Sequence, residues 1–153
     1  MYIEYKEIDN FFLEKISVKY GETAKNHIHL ENGSFSLAAL HDGVPVGFIS
    51  TYTKMLTPPL NDAKDAYIDI IEVDEPYRRK GIAKHLISTT ERWAAKIGFS
   101  QIRAWSSQDK IEAIPMWRRL GYCLYPATIW LEWRKQAVAG YYVAKVLSEN
   151  GGV

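Results

Sequence analysis

Residues 72–87 read "EVDEPYRRKGIAKHLI", and three cations, Arg78, Arg79 and Lys80, crowd into a turn that opens a helix at Gly81. A helix N-terminus already carries partial positive charge, so cations ordinarily favour the other end. A turn built this way repels itself unless it stands in solvent or faces an anion. Ahead of it, "AYIDIIEV" (66–73) has the apolar, β-branched composition of a strand. Behind it, residues 81–97 place Ile82, Leu86, Trp93 and Ile97 on one stripe, with Ala83, Ile87 and Ala94 beside it, as an amphipathic helix requires. Strand, turn and helix in that order can cradle a phosphate, because the first helical amides have no internal partner and point outward. Gly81 permits a close backbone approach. Charge-assisted bonds from such amides are worth about 1.5–3 kcal/mol each.

Working outward, "YIEYKEI" (2–8) alternates like a strand, and Asp9 can cap a helix carrying Phe12, Leu13, Ile16 and Tyr20 on one side. Residues 21–31 suggest a second short helix. "SFSLAAL" and "VPVGFISTY" flank His41-Asp42-Gly43, whose Asp-Gly pair signals a hairpin. The segment 53–65, "TKMLTPPLNDAKD", reads as a long exposed connection in which Pro58-Pro59 excludes regular structure. "SQIRAWS" is a further strand, residues 110–120 form a short helix ending at Gly121, and the aromatic-rich tail ends in a strand, "GYYVAKVL". Early antiparallel strands followed by strand-helix-strand-helix-strand predict one α/β domain over residues 1–153, with a mixed sheet. Its central strand-helix-strand unit should be parallel and right-handed.

The charge balance narrows the function. Nineteen basic and 18 acidic residues leave a net charge of +1, too even for a general nucleic-acid or membrane-surface binder. The single cysteine, Cys123, excludes an intramolecular disulfide. With no secretory pattern at the N-terminus and no apolar run of about 20 residues, the expected location is the cytoplasm. Any basic function is therefore local to the turn.

Two phosphate motifs fail there. A Walker A loop needs Gly-Lys-Ser/Thr, whereas Ile82 follows Gly81, and a dinucleotide fingerprint needs three spaced glycines. Arg78-Arg79-Lys80-Gly81-Ile82-Ala83 instead resembles the [Gln/Arg]-x-x-Gly-x-[Gly/Ala] turn of the GNAT superfamily of N-acetyltransferases. "AIPMWRRLGY" (113–122) is similar to that family's second signature, Ala-x-x-x-Tyr-x-x-x-Gly-Phe. The resemblance implies a three-layer fold whose mixed, mostly antiparallel central sheet contains a splayed parallel strand pair. It implies acetyl-coenzyme A as cosubstrate, its diphosphate held by the turn of Arg78, Arg79, Lys80, Gly81, Ile82, Ala83 and Lys84. The main chain of Ile71, Glu72 and Val73 would pair with the pantetheine arm, and a Val73 amide would steady the oxyanion.

In "YIDIIEV" the apolar phase slips by one residue between Ile70 and Ile71. A β-bulge there would repair the phase and swing Asp69 and Glu72 onto one face; a strand buried on both faces is the alternative. Family members carry such a bulge. The chemistry needs an acid nearby, because an alkylamine with a pKa near 10.4 is only about 0.04% neutral at pH 7. Asp69, nine residues before Arg78, matches the position of a glutamate that serves as base in several members, and Glu72 is the second candidate.

The pattern also departs from the family. Trp117 stands where a tyrosine often protonates the leaving thiolate, and Lys110 where an asparagine is common. Trp117 is expected to pack against the cofactor or the sheet. Tyr122, Tyr125, Tyr141 and Tyr142 remain alternative acids. His27 and His29 have a strand-like spacing but no supporting ligand cluster, so no metal site is expected. Trp130, Trp133, Tyr141 and Tyr142 suit an acceptor pocket, a homodimer face or the core. The resulting reading is an N-acetyltransferase acting by direct attack on a small primary amine. A protein N-terminal acetyltransferase and a non-catalytic acyl-coenzyme A sensor are the alternatives.

Overall fold

Asp42 and Gly43 both adopt positive φ (50° and 77°), the two-residue turn that matches the twist of a hairpin. They join β2 (Phe35–His41) to β3 (Val44–Met55). The computed structural model describes residues 1–147. Its other elements are β1 (Glu4–Glu7), α1 (Asn10–Tyr20), α2 (Glu22–Asn26), β4 (Lys64–Val73), a 3-10 turn (Glu75–Tyr77) and α3 (Ile82–Lys96). They continue with β5 (Gln101–Ser107), α4 (Ala113–Arg119), β6 (Cys123–Pro126), β7 (Ile129–Leu131), β8 (Gln136–Val138) and β9 (Gly140–Val146).

Seven strands form one sheet in the order β1-β2-β3-β4-β5-β9-β6, and β7 and β8 form a separate hairpin. Among the described residues only β4 and β5 pair in parallel, joined through α3 as expected. β9 lies between β5 and β6, antiparallel to both. Alternation along β2 supplies two cores. Leu37 and Ala39 pack with Ile68, Val73, Ile82, Leu86, Ile87 and Trp117 on the α3 face. Ala38 and Leu40 pack with Ile16, Ala24, Ile28 and Phe48 on the α1–α2 face. The result is three layers around a mixed, mostly antiparallel sheet. Burying a side chain such as Leu86 or Ile87, both at 0% exposure, contributes about 1.5–3 kcal/mol.

Local signals act as read. Asp9 Oδ1 accepts the Phe12 amide at 2.9 Å, capping α1. Gly121 (φ 88°) ends α4, with the Tyr122 amide donating to the Trp117 carbonyl at 3.0 Å in the manner of a Schellman cap. Two expectations need correcting. The 53–65 connection is shorter, because β3 runs on to Met55 and β4 begins at Lys64, extending the ladder by Thr53↔Ala66, Lys54↔Asp65 and Met55↔Lys64. Ile97 lies beyond the end of α3 and is 52% exposed, so it does not share the buried stripe. Among the described residues no helix is long and apolar enough to cross a membrane.

Candidate active site

The site starts from one extra residue. Thr51 pairs with Ile68 and Ser50 with Ile70, so Asp69 is a bulge that opposes no residue of β3. The bulge repairs the apolar phase as anticipated, but at Asp69 rather than between Ile70 and Ile71. Ile68, Ile71 and Val73 belong with the α3-side core, while Ile70 packs against the α1–α2 side. Glu72 joins Ile70 on that side, where Tyr20, Thr23, Ala24 and Phe48 complete the lining of a cavity of about 210 Å³.

The bulge also ends the parallel pairing. β4 and β5 are bonded only at Ala66↔Ile102, Tyr67↔Arg103 and Ile68↔Ala104, although both strands continue, to Val73 and Ser107. The paired end is locked by Asp65, whose side chain is 0% exposed. It accepts Gln101 Nε2 at 2.5 Å and faces Arg103 Nη2 at 3.1 Å. Beyond Ile68 the two strands share no ladder pairing, which leaves a gap between them. The Asp74 amide donates to Val46 O at 2.9 Å, which fixes the alternation backward along β4. Asp74 and Glu72 turn their main-chain groups toward β3; Ile71 and Val73 turn theirs into the gap. Of the expected Ile71–Glu72–Val73 set, Ile71 and Val73 thus turn their main chain to the gap, and Glu72 turns its own toward β3.

At the mouth of the gap, Arg78 folds back. Its Nε donates to the Val73 carbonyl at 2.9 Å, and its terminal nitrogens lie 3.5 Å from Glu72 and 3.9 Å from Glu112. It thus fastens the turn to the strand end. Arg79, Lys80, Gly81 and Lys84 are exposed, whereas Ile82 is buried and Ala83 partly so. Arg79 (φ 60°) and Gly81 (φ 82°, ψ 2°) are both left-handed. For an arginine that backbone is costly, and such strain gathers at ligand clamps. An added Cβ at Gly81 would meet nothing within 4 Å, so conformation rather than crowding reserves that position for glycine.

On the α1–α2 side the structure brings together residues that the sequence reading kept apart. His29 Nε2 lies 2.7 Å from Asp69 Oδ2, and His29 Nδ1 lies 3.0 Å from Glu31 Oε1. The imidazole stacks on Tyr52 at 4.3 Å. Ser50 Oγ accepts the His29 amide at 2.8 Å, while Ser36 Oγ donates to the His29 carbonyl at 2.7 Å. His27 instead meets the Thr23 carbonyl at 2.7 Å, so the two imidazoles do not share one ligand position. Burial, more than any neighbouring charge, pushes the Tyr67 and Tyr20 phenols far above their usual range.

Trp117 is 2% exposed and packs edge-on against Tyr122 at 4.8 Å. Of its two expected partners, sheet and cofactor, the structure gives it the sheet-side core. Trp117→Ala is expected to cost about 3–5 kcal/mol, read as a lower urea midpoint with an unchanged slope. Tyr122 is equally buried, and burial followed by Glu91 raises its phenol well beyond the ordinary tyrosine range. Its hydroxyl lies 3.5 Å from Glu91 Oε2 on α3.

A model of the "Acetyltransferase (GNAT) family" matches residues 3–122. The chain belongs to that family. A curated relative, the L-ornithine N5-acetyltransferase NATA1 of Arabidopsis thaliana, is 30% identical over 102 residues, 66% of this chain; the chain spans 41% of that relative's length. Among solved structures, Arabidopsis thaliana NAA60 in complex with a bisubstrate analogue aligns with a TM-score of 0.79 at 19% identity, covering 99% of this chain and 100% of the other. A putative streptothricin acetyltransferase from Bacillus anthracis str. Ames, in complex with acetyl coenzyme A, aligns at 0.70 with 16% identity, over 97% and 99% of the two chains. These likenesses establish the same three-layer GNAT fold. The family match also reaches the N-terminal segment, where the sequence signatures offered nothing, and that segment carries His29. In the sequence His29 stood out only by its strand-like spacing from His27, which says nothing of Asp69 until β4 is known to bulge.

Proposed function

We propose that the chain transfers an acetyl group from acetyl-coenzyme A to the primary amine of a small metabolite, by direct attack in a ternary complex. The observation that carries this reading is the gap: β4 and β5 separate after Ile68, leaving Ile71 and Val73 main-chain groups facing an opening that ends at the Arg78–Gly81 turn. Those groups suit an amide-bearing pantetheine arm, and the Arg79, Lys80 and Lys84 cations with the first α3 amides suit a diphosphate. The Val73 amide is the group available to steady charge developing on the thioester oxygen.

The acceptor enters from the α1–α2 side, where Asp69 and Glu72 share a face with the cavity beside Phe48. Asp69 takes the amine proton. Its Oδ2 faces His29, while Oδ1 carries no hydrogen bond among the described residues. With Trp117 in the core, the thiolate takes its proton from water; a reference thiol pKa near 8.5 makes it a tolerable leaving group. The ornithine acetyltransferase relative supports a small amine as acceptor.

Calorimetric titration with acetyl-coenzyme A, followed by thiol release over a panel of amino acids, polyamines, amino sugars and peptide N-termini, tests the proposal. Saturable binding with release on a small amine is expected. Release on peptides alone would overturn the acceptor class, binding without release on any amine would favour a sensor, and no binding by folded protein would sink both.

A further inference from the structure

Apart from Asp69, no residue read above as catalytic explains why an imidazole is clamped between two carboxylates. His29 sits in the segment between α2 and β2, and its backbone is held from both sides by Ser50 and Ser36, themselves 2.7 Å apart. Its ring is held flat on Tyr52 at an interplanar angle of 21°. Both ring nitrogens then meet carboxylate oxygens, Asp69 at 2.7 Å and Glu31 at 3.0 Å. A carboxylate only accepts, and only an imidazole protonated on both nitrogens donates to two at once.

Acidic and phenolic groups surround the ring. From β4, Asp69 and the Tyr67 phenol lie near; from β3, Tyr52; from the preceding loop, Glu31. Glu7 and Asp9, at the end of β1 and the start of α1, line an adjoining cavity with His29. Lys54 is a layer further out, its Nζ 4.2 Å from the centre of the Tyr67 ring. Glu31 feels the arrangement: burial pushes its carboxyl up, yet hydrogen bonds from its own amide, His29 and the Leu30 amide hold it below the usual glutamate range.

We propose that His29 is a positioning residue for the Asp69 carboxylate. It fixes the side-chain rotamer through Oδ2 so that Oδ1 faces the acceptor amine, and Glu31 orients the ring from behind. This role rests on reading Asp69 as the base. A bulge residue needs such support, because it stands outside the ladder that fixes its neighbours. An unsupported Asp69 would sample rotamers, and positioning errors at a reacting centre are costly in rate.

The test uses His29→Ala, His29→Gln, Asp69→Asn and the double variant Asp69→Asn/His29→Ala, with kcat and KM measured on the amine that turns over. Acetyl-coenzyme A affinity by calorimetry serves as the folding control. His29→Ala should lower kcat about tenfold to a hundredfold, the usual loss when an orienting partner is removed. KM for the amine should stay near the wild-type value, because the side chain acts on proton removal and not on acceptor binding. His29→Gln keeps a donor toward Asp69 Oδ2, so it should recover much of the lost rate. The double variant should be no slower than Asp69→Asn alone. Wild-type rate in both His29 variants, with Asp69→Asn crippled, would overturn the positioning role and leave the base intact. Additive losses in the double variant, or a His29→Gln no faster than His29→Ala, would also overturn it. Full activity in Asp69→Asn would instead remove the base reading itself.

Discussion

Asp69→Asn is expected to lower kcat by about 10²- to 10⁴-fold, the range lost with a general base, while leaving the dissociation constant for acetyl-coenzyme A unchanged. The substitution is nearly isosteric, and its amide can still occupy the bulge, so the β3–β4 ladder should survive. What it loses is the capacity to take a proton. The groups proposed to hold the cofactor, the Ile71 and Val73 main chain and the turn at Arg78–Gly81, make no use of the Asp69 side chain. Stopped-time thiol release and calorimetry on one preparation separate the two effects. A variant that loses both activity and cofactor affinity would show that Asp69 is structural, and would shift the base role to Glu72. Glu72 is the weaker candidate on geometry, because Arg78 Nη2 stands 3.5 Å from its carboxylate.

The bulge explains what could be read from the chain and what could not. The phase slip in "YIDIIEV" is a local pattern, and it correctly called for a bulge in this strand. Its position was displaced by one residue because periodicity locates only the change of phase, whereas the register with Thr51 and Ser50 fixes the residue that is skipped. The turn at Arg78–Gly81 that opens α3 was legible for the same reason as the hairpin at Asp42-Gly43: conformation there is dictated within a few residues. His29 was not legible. Its partners lie 40 residues away at Asp69 and 21 away at Ser50, and nothing in "HIHLE" reveals that β3 and β4 carry them to it. Trp117 was half legible: helical spacing marked it as an inward residue, but only the packing against Tyr122 decides that it faces the core. Strands β6, β7 and β8 escaped because three or four residues give too short a run for alternation to register.

Gly81→Asp should weaken acetyl-coenzyme A binding by about a hundredfold while leaving the protein folded. The added side chain would meet nothing within 4 Å, so packing is not disturbed. The backbone at φ 82° is one that aspartate tolerates better than most residues, so the cost to stability is held to about 1–2 kcal/mol. The binding loss has a different origin. A carboxylate at this position competes for the outward-pointing first amides of α3 and repels a diphosphate. Losing even one charge-assisted bond of about 1.5–3 kcal/mol corresponds to roughly 10- to 150-fold in affinity. Gly81→Asn shares the backbone preference but carries no charge, and should lose much less. Arg79→Ala and Lys80→Ala, at exposed positions, should give smaller losses that shrink further as salt is raised. If aspartate and asparagine prove equally damaging, the loop geometry rather than the charge governs affinity. If neither matters, the diphosphate does not sit on this turn, and the crowding of Arg78, Arg79 and Lys80 has another cause.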